Sequence, residues 1–211
     1  MSFNKFLEKT IQKSQHCNRN WDLSKEIPED DVKTMVVSVT ECSSKQNRVF
    51  YKPIFITNRD IIENVHKKTV GFWGGDGHPK QLEKYMTNSQ TLANLLVAFV
   101  RDRDLEVEPR TDLEVEKGVI EGKTQLDEDR SLGIAAGYLT LTANMLGYDT
   151  GCCQCISDPE GIKKDLGTDE DVLLLMGIGY RDNSKSRLEH HEDNNFKFPS
   201  FKKEIKVDYI S

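Results

Sequence analysis

Residues 129–158 read DRSLGIAAGYLTLTANMLGYDTGCCQCISD, and this stretch decides the fold. Leu132, Ala135, Leu139, Ala143 and Leu146 recur at helical spacing, which predicts one buried helix. Asp127, Glu128 and Asp129 place negative charge at its expected start, where the helix dipole favours it. A second face carries Gly133, Gly137, Thr140 and Asn144. A glycine inside a helix costs roughly 1 kcal/mol against alanine, so close approach of another backbone is expected there. Gly147 stands where a helix end favours a left-handed residue. Residues 148–155 read as a loop. Asp158 then caps a short helix, with Pro159 at its first position and Gly167 past its end. Residues 172–180 (VLLLMGIGY) read as a buried strand. A packed helix, a loop and an apolar strand form a cofactor shelf in many α+β domains, but the pattern alone names no cofactor.

Outward from this centre, residues 92–100 (LANLLVAFV) read as a second buried strand and residues 49–57 (VFYKPIFIT) as a third. Pro53 marks that third strand as an edge or a bulge, because proline donates nothing to a ladder. Three further helices are expected. Phe3, Phe6, Leu7, Thr10 and Ile11 line the first; Val32, Met35, Val36 and Val39 line the second, which Pro28 opens; Ile61, Ile62 and Val65 line the third, capped from Asn58. Residues 71–79 (GFWGGDGHP) form a loop with two aromatics, Phe72 and Trp73. Residues 101–125 read as charged and irregular, either a lid or a solvated insertion. Beyond Tyr180 the polar tail lacks the means to build its own core. It is disordered or lies along a partner subunit.

The 211 residues suit one domain with appendages. The net charge of −6 argues against a nucleic-acid partner. No run approaches the roughly 18 apolar residues of a membrane span, and the N-terminus has no signal-peptide core. Five cysteines, three of them at Cys152, Cys153 and Cys155, make a poor disulfide framework. Reduced thiols and a cytoplasmic protein are expected. Several apparent motifs fail on context. Gly122-Lys123-Thr124 lacks the leading glycine of a phosphate loop, and neither Gly74-Gly75-Asp76-Gly77 nor Gly177-Ile178-Gly179 has a dinucleotide setting. The clustered cysteines with His190 and His191 lack zinc-site spacing, so no metal is expected.

Three separated segments together resemble the FMN-dependent nitroreductase family. Gln15-His16-Cys17-Asn18-Arg19-Asn20-Trp21 is similar to its opening phosphate motif, two basic residues followed by Ser-x-basic-x-aromatic. His16 and Arg19 match basic positions, Gln15 replaces the leading arginine, and Cys17 replaces the serine. Ser43-Ser44-Lys45-Gln46-Asn47 with Tyr51 resembles the family's Pro-Ser-x-x-Asn loop and following aromatic, with Ser43 in place of proline. The third segment runs from Gly133 through Gly147 and the strand to Gly179, and Lys185-Ser186-Arg187 then matches a Lys-x-Arg pair.

The resemblance spans most of residues 1–190, taken as the FMN-binding domain, with 191–211 as a C-terminal arm. It implies an α+β fold, a central mostly antiparallel sheet flanked by helices, in an intertwined homodimer. It implies that Gln15, His16, Cys17, Arg19, Lys185 and Arg187 serve the FMN phosphate, which suits charge-assisted hydrogen bonds. Ser44, Gln46 and Asn47 would reach FMN from the partner subunit. Gln154 and Cys155 would offer backbone N–H groups to the flavin ring. No catalytic acid or base is implied, because the flavin carries the chemistry. NAD(P)H would reduce it and a small-molecule acceptor, a nitroaromatic, quinone or similar compound, would reoxidise it. Alternatives within reach are a reductive dehalogenase, a flavin-degrading enzyme and a non-catalytic flavin-binding protein.

Overall fold

The computed structural model describes residues 2–44, 47, 49–71, 87–102, 120–192, 197–198, 200 and 204–210, with the backbone alone for 120–125. Gln46, Phe72, Trp73 and the 103–119 part of the charged insertion lie outside the described residues.

The chain runs α1 (Phe3–Ser14), α2 (Glu29–Thr40), β1 (Tyr51–Ile56), α3 (Arg59–His66), a 3-10 turn (Ser89–Thr91), β2 (Leu95–Arg101), α4 (Ile120–Met145), β3 (Asp149–Cys153), α5 (Pro159–Leu166) and β4 (Val172–Gly179). The strands form an antiparallel sheet in the order β1-β2-β4-β3. Pro53 lies on edge strand β1, as its missing donor requires.

Helices cover both faces of the sheet, and the side-chain alternation of β2 shows how. Leu95, Val97 and Phe99 join Met35 and Val39 of α2 and Leu132, Ala135, Leu139 and Ala143 of α4 in one core. Leu96 and Ala98 join Ile62 and Val65 of α3 and Ile162 of α5 in a second. A strand buried on both faces needs apolar side chains in either direction, hence its unbroken apolar run.

The central helix ends as expected. Gly147 has φ +101°, a conformation that disfavours a side chain. Its N–H donates to Asn144 O and the Tyr148 N–H to Ala143 O, the paired bonds of a Schellman stop. Lys13 of α1 adds charge there, with Nζ 3.4 Å from Tyr148 O and 2.6 Å from Asp149 Oδ1.

Three expectations are corrected. The helix begins at Ile120, so Gly122-Lys123-Thr124 is helical and the insertion is shorter than 101–125. Asp127 and Glu128 therefore sit well inside α4. Glu128 instead takes Arg101 in a two-pronged pair at 2.9 and 3.0 Å, and Arg101 also holds Asp171 at 2.7 Å. Part of the stretch read as a loop is strand β3. Asp149-Thr150-Gly151-Cys152-Cys153 has no alternating pattern, and pairing with β4 overrides its weak propensity. Gly133 and Gly137 meet nothing among the described residues; their face is exposed, with Ile134, Tyr138 and Met145 beside it.

Candidate functional site

Residues 17–22 run extended along the outer edge of β3. Cys17 bridges Thr150, and the Asn18 N–H donates to Thr150 O at 2.8 Å. Past that point the segment turns to the chain leaving β4. Trp21 bridges Arg181, the Asp22 N–H donates to Tyr180 O, and the Asp182 N–H donates to Asn20 O. The indole N–H of Trp21 donates to Ser89 O at 2.8 Å, so the 3-10 turn anchors the segment too. That turn lies close over the sheet: a Cβ on Gly177 would run into the Gln90 carbonyl. Gly177-Ile178-Gly179 thus owes its first glycine to close packing rather than to a nucleotide.

Alternation along an extended segment puts Asn18 and Asn20 on one side and Cys17 and Arg19 on the other. Asn18 and Asn20 are buried. Asn18 Nδ2 donates to Asn20 O at 2.8 Å. Asn20 Nδ2 donates to Ser186 O at 2.5 Å and Glu189 O at 2.9 Å. Those two carbonyls flank Arg187, so Asn20 fastens the Lys185–Ser186–Arg187 turn to the segment that carries Arg19. Asp182 shapes the approach, accepting from the Ser184 N–H and hydroxyl.

Arg19 and Arg187, far apart in sequence, are thereby brought within electrostatic reach. Burial lowers the Arg19 pKa, and repulsion from Arg187 lowers it further. The guanidinium stays charged at any ordinary pH. Its Nε is buried with no hydrogen-bond partner among the described residues. A buried donor without a partner, beside a second guanidinium, suits an oxyanion that accepts from both. Lys185 Nζ donates to His191 O at 3.0 Å, and Arg187 Nη2 donates to Ser200 Oγ at 3.1 Å.

The other expected residues lie as follows. Gln15 and His16 are exposed, and Gln15 Nε2 turns back to Gln12 O at 2.9 Å. Ser44 and Asn47 lie in the connection from α2 to β1, with Asn47 at φ 55°. That is the opposite edge of the sheet from Arg19, with β2, β4 and β3 between them. Gln154 and Cys155 follow β3. Gln154 Nε2 donates to Leu173 O at 3.3 Å, and the Val70 N–H donates to Cys155 O at 2.9 Å. All five cysteines are free. Burial pushes the Cys152 and Cys153 thiols up to about 12, so neither supplies a thiolate near neutral pH.

Sequence reading missed a cluster around the histidines. His190 is fully buried and its Nε2 lies 2.9 Å from Thr87 O. His66 contacts the Thr87 hydroxyl at 2.8 Å through Nε2 and Asn88 O at 3.1 Å through Nδ1. His191 stacks edge-on against His66 with ring centroids 5.0 Å apart. Phe198, 2% exposed, lies 6.1 Å from His190 at a 28° tilt and over Arg19, whose Cζ is 4.3 Å from the ring centroid. This part of the polar tail therefore packs onto the body of its own chain. Only the apolar Phe198 hinted at that in the sequence.

No family profile matches the chain, and no curated protein does. Solved structures match over most of its length. A Bacillus subtilis protein assigned as a nitroreductase superposes with a TM-score of 0.67 at 14% identity, covering 99% of this chain and 100% of that one. A Staphylococcus epidermidis protein assigned as an NAD(P)H:FMN oxidoreductase gives 0.62 at 17% identity over 84% and 87% of the two chains. An FMN-dependent nitroreductase from Clostridium difficile R20291 gives 0.54 at 15% identity over 81% and 86%. The likeness lies in the backbone rather than the sequence, and it shows that this chain has the nitroreductase fold.

Proposed function

We propose that the chain is an FMN-dependent NAD(P)H oxidoreductase that reduces nitroaromatics, quinones or similar acceptors. The observation that carries this reading is the unpartnered, buried Nε of Arg19 beside Arg187, on a fold shared with proteins named for FMN. Arg19, Arg187 and Lys185 would hold the phosphate. When bound, FMN supplies two-electron transfer between a nicotinamide and an acceptor that use one pocket in turn. This chain's own residues bind and orient. The segment at 17–22 supplies the rigid edge, Asn20 sets the turn, and Gln154 and Cys155 lie at the end of β3 where small residues let backbone approach a flat ring.

The reading includes a homodimer. Ser44 and Asn47 sit across the sheet from Arg19, so one cofactor can meet both sets only if a second copy supplies one of them. Two exposed surfaces suit that copy: the face of α4 with Gly133, Ile134, Gly137 and Tyr138, and the Ile205, Val207 and Tyr209 side of the tail.

The test is the visible absorbance of the purified protein with FMN, followed by NADH or NADPH under exclusion of oxygen. A flavin spectrum that bleaches with a nicotinamide and returns with a nitroaromatic or quinone is expected. Binding of FMN with no bleaching by either nicotinamide overturns the enzyme and leaves a flavin-binding protein.

A further inference from the structure

We propose that Phe198 is a positioning residue for the phosphate cradle: its ring, 4.3 Å from Arg19 Cζ, holds that guanidinium in place beside Arg187. The inference rests on reading the cradle as the FMN phosphate site.

Two features of Arg19 call for such a hold. A long side chain within electrostatic reach of another guanidinium is repelled by it, and its rotamer entropy favours swinging away. An aromatic face attracts a guanidinium by its quadrupole without using any N–H donor. The contact therefore holds the guanidinium while using none of its N–H donors, and Nε has no partner among the described residues.

Phe198 is itself firmly placed. Its N–H donates to Leu188 O at 2.7 Å, and Glu189 and Lys197 bridge beside it with an ion pair at 3.5 Å. Beneath the ring lies His190, fully buried and tied to Thr87 O. Two residues on, Ser200 accepts from Arg187. Phe198 and Ser200 thus touch one arginine each, and Asn20 holds the chain before them at Ser186 and Glu189.

The experiment compares affinities for FMN and for riboflavin, which lacks the phosphate, in Phe198→Ala, Phe198→Leu, Phe198→Trp and Arg19→Ala. Phe198→Ala and Phe198→Leu are expected to weaken FMN about tenfold while riboflavin changes less than about twofold, as loss of one cation–π contact implies. Phe198→Trp is expected to restore FMN binding, because tryptophan offers the best face. Equal losses for both ligands, no loss for either, or a leucine variant that binds FMN like the wild type would overturn the inference. If Phe198→Ala does not fold, the leucine and tryptophan variants decide alone. Arg19→Ala separates the two levels. If it abolishes the preference for FMN while Phe198→Leu keeps it, the inference falls and the cradle stands. If Arg19→Ala keeps the preference, the cradle falls and takes the inference with it.

Discussion

Strand β2 and the segment at residues 17–22 are both extended chain bound to the same sheet, and they are held in opposite ways. β2 is apolar along its length, is paired on both sides, and packs into a core on each face. The 17–22 segment has two isolated bridges, buried asparagines and a single deep aromatic, Trp21. Burial of β2 is generic: any well-shaped apolar side chain serves, and the stabilisation scales with area. Attachment of 17–22 is specific, because Asn18, Asn20 and the Trp21 N–H each meet a named carbonyl. The core therefore tolerates substitution at constant volume, and the site does not.

The sharpest contrast is energetic. Leu139→Ala opens a cavity where α4 meets the sheet and is expected to lower stability by about 2–5 kcal/mol, with FMN affinity per folded molecule unchanged. Urea unfolding with a parallel FMN titration checks both halves. A loss of affinity in the folded fraction would break the separation between core and site.

The converse variants act on the site. Arg19→Ala and Arg187→Ala are each expected to weaken FMN binding by about 1.5–3 kcal/mol, the worth of a charged hydrogen bond. Calorimetric titration measures this, and unchanged affinity in both variants would return the two arginines to ordinary surface charge.

A third test addresses the histidine cluster beside Phe198. Burial first, then the neighbouring histidines, draws His66 down to about 3 and His191 to about 4 from an ordinary 6.5. Asn88, Thr87, Thr91, Arg59 and His190 also face His66, and Glu192 and Lys185 face His191. Both imidazoles are neutral when folded, so the unfolded chain binds more protons below pH 6.5. Stability is fully present above that pH and falls as the pH drops toward 4, by up to about 1.4 kcal/mol per pH unit for each histidine. His191→Gln is expected to flatten the slope between about pH 6.5 and about pH 4. A slope identical to the wild type would place the acid-sensitive groups elsewhere.

The smallest effect concerns the exposed face of α4. A methyl group at Gly137 meets open space among the described residues, so Gly137→Ala is expected to stabilise the helix by about 1 kcal/mol. In sedimentation velocity the same change is expected to lower the dimer share by blocking close approach of a second copy. An unaltered dimer share would put the interface on another face.

These contrasts match what was legible in advance. The apolar periods of β2, β4 and the buried stripe of α4 are dense signals, since every second or third residue repeats the message. Pro53, Asn58, Gly147 and Asp158 marked an edge, two starts and a stop because each has a local conformational reason. β3 was not legible: Asp149 to Cys153 carries no alternation, and only an adjacent apolar strand makes it a strand. Asn18 and Asn20 carried no role in the sequence, because a hydrogen bond to a carbonyl 166 positions away leaves no trace in the neighbouring residues.

By itself, the sequence determined the secondary elements of the core, the helix boundaries with local caps, and the order of segments that resembles the nitroreductases. Local propensity and periodic burial act over a few residues, so they can be read one window at a time. Tertiary structure alone decided that Asn20 ties the Arg19 segment to the Arg187 turn, that Phe198 covers Arg19, and that Ser44 and Asn47 stand across the sheet from Arg19. Electrostatic and aromatic contacts act over a few ångströms regardless of chain separation, so only the folded path reveals which distant residues share them.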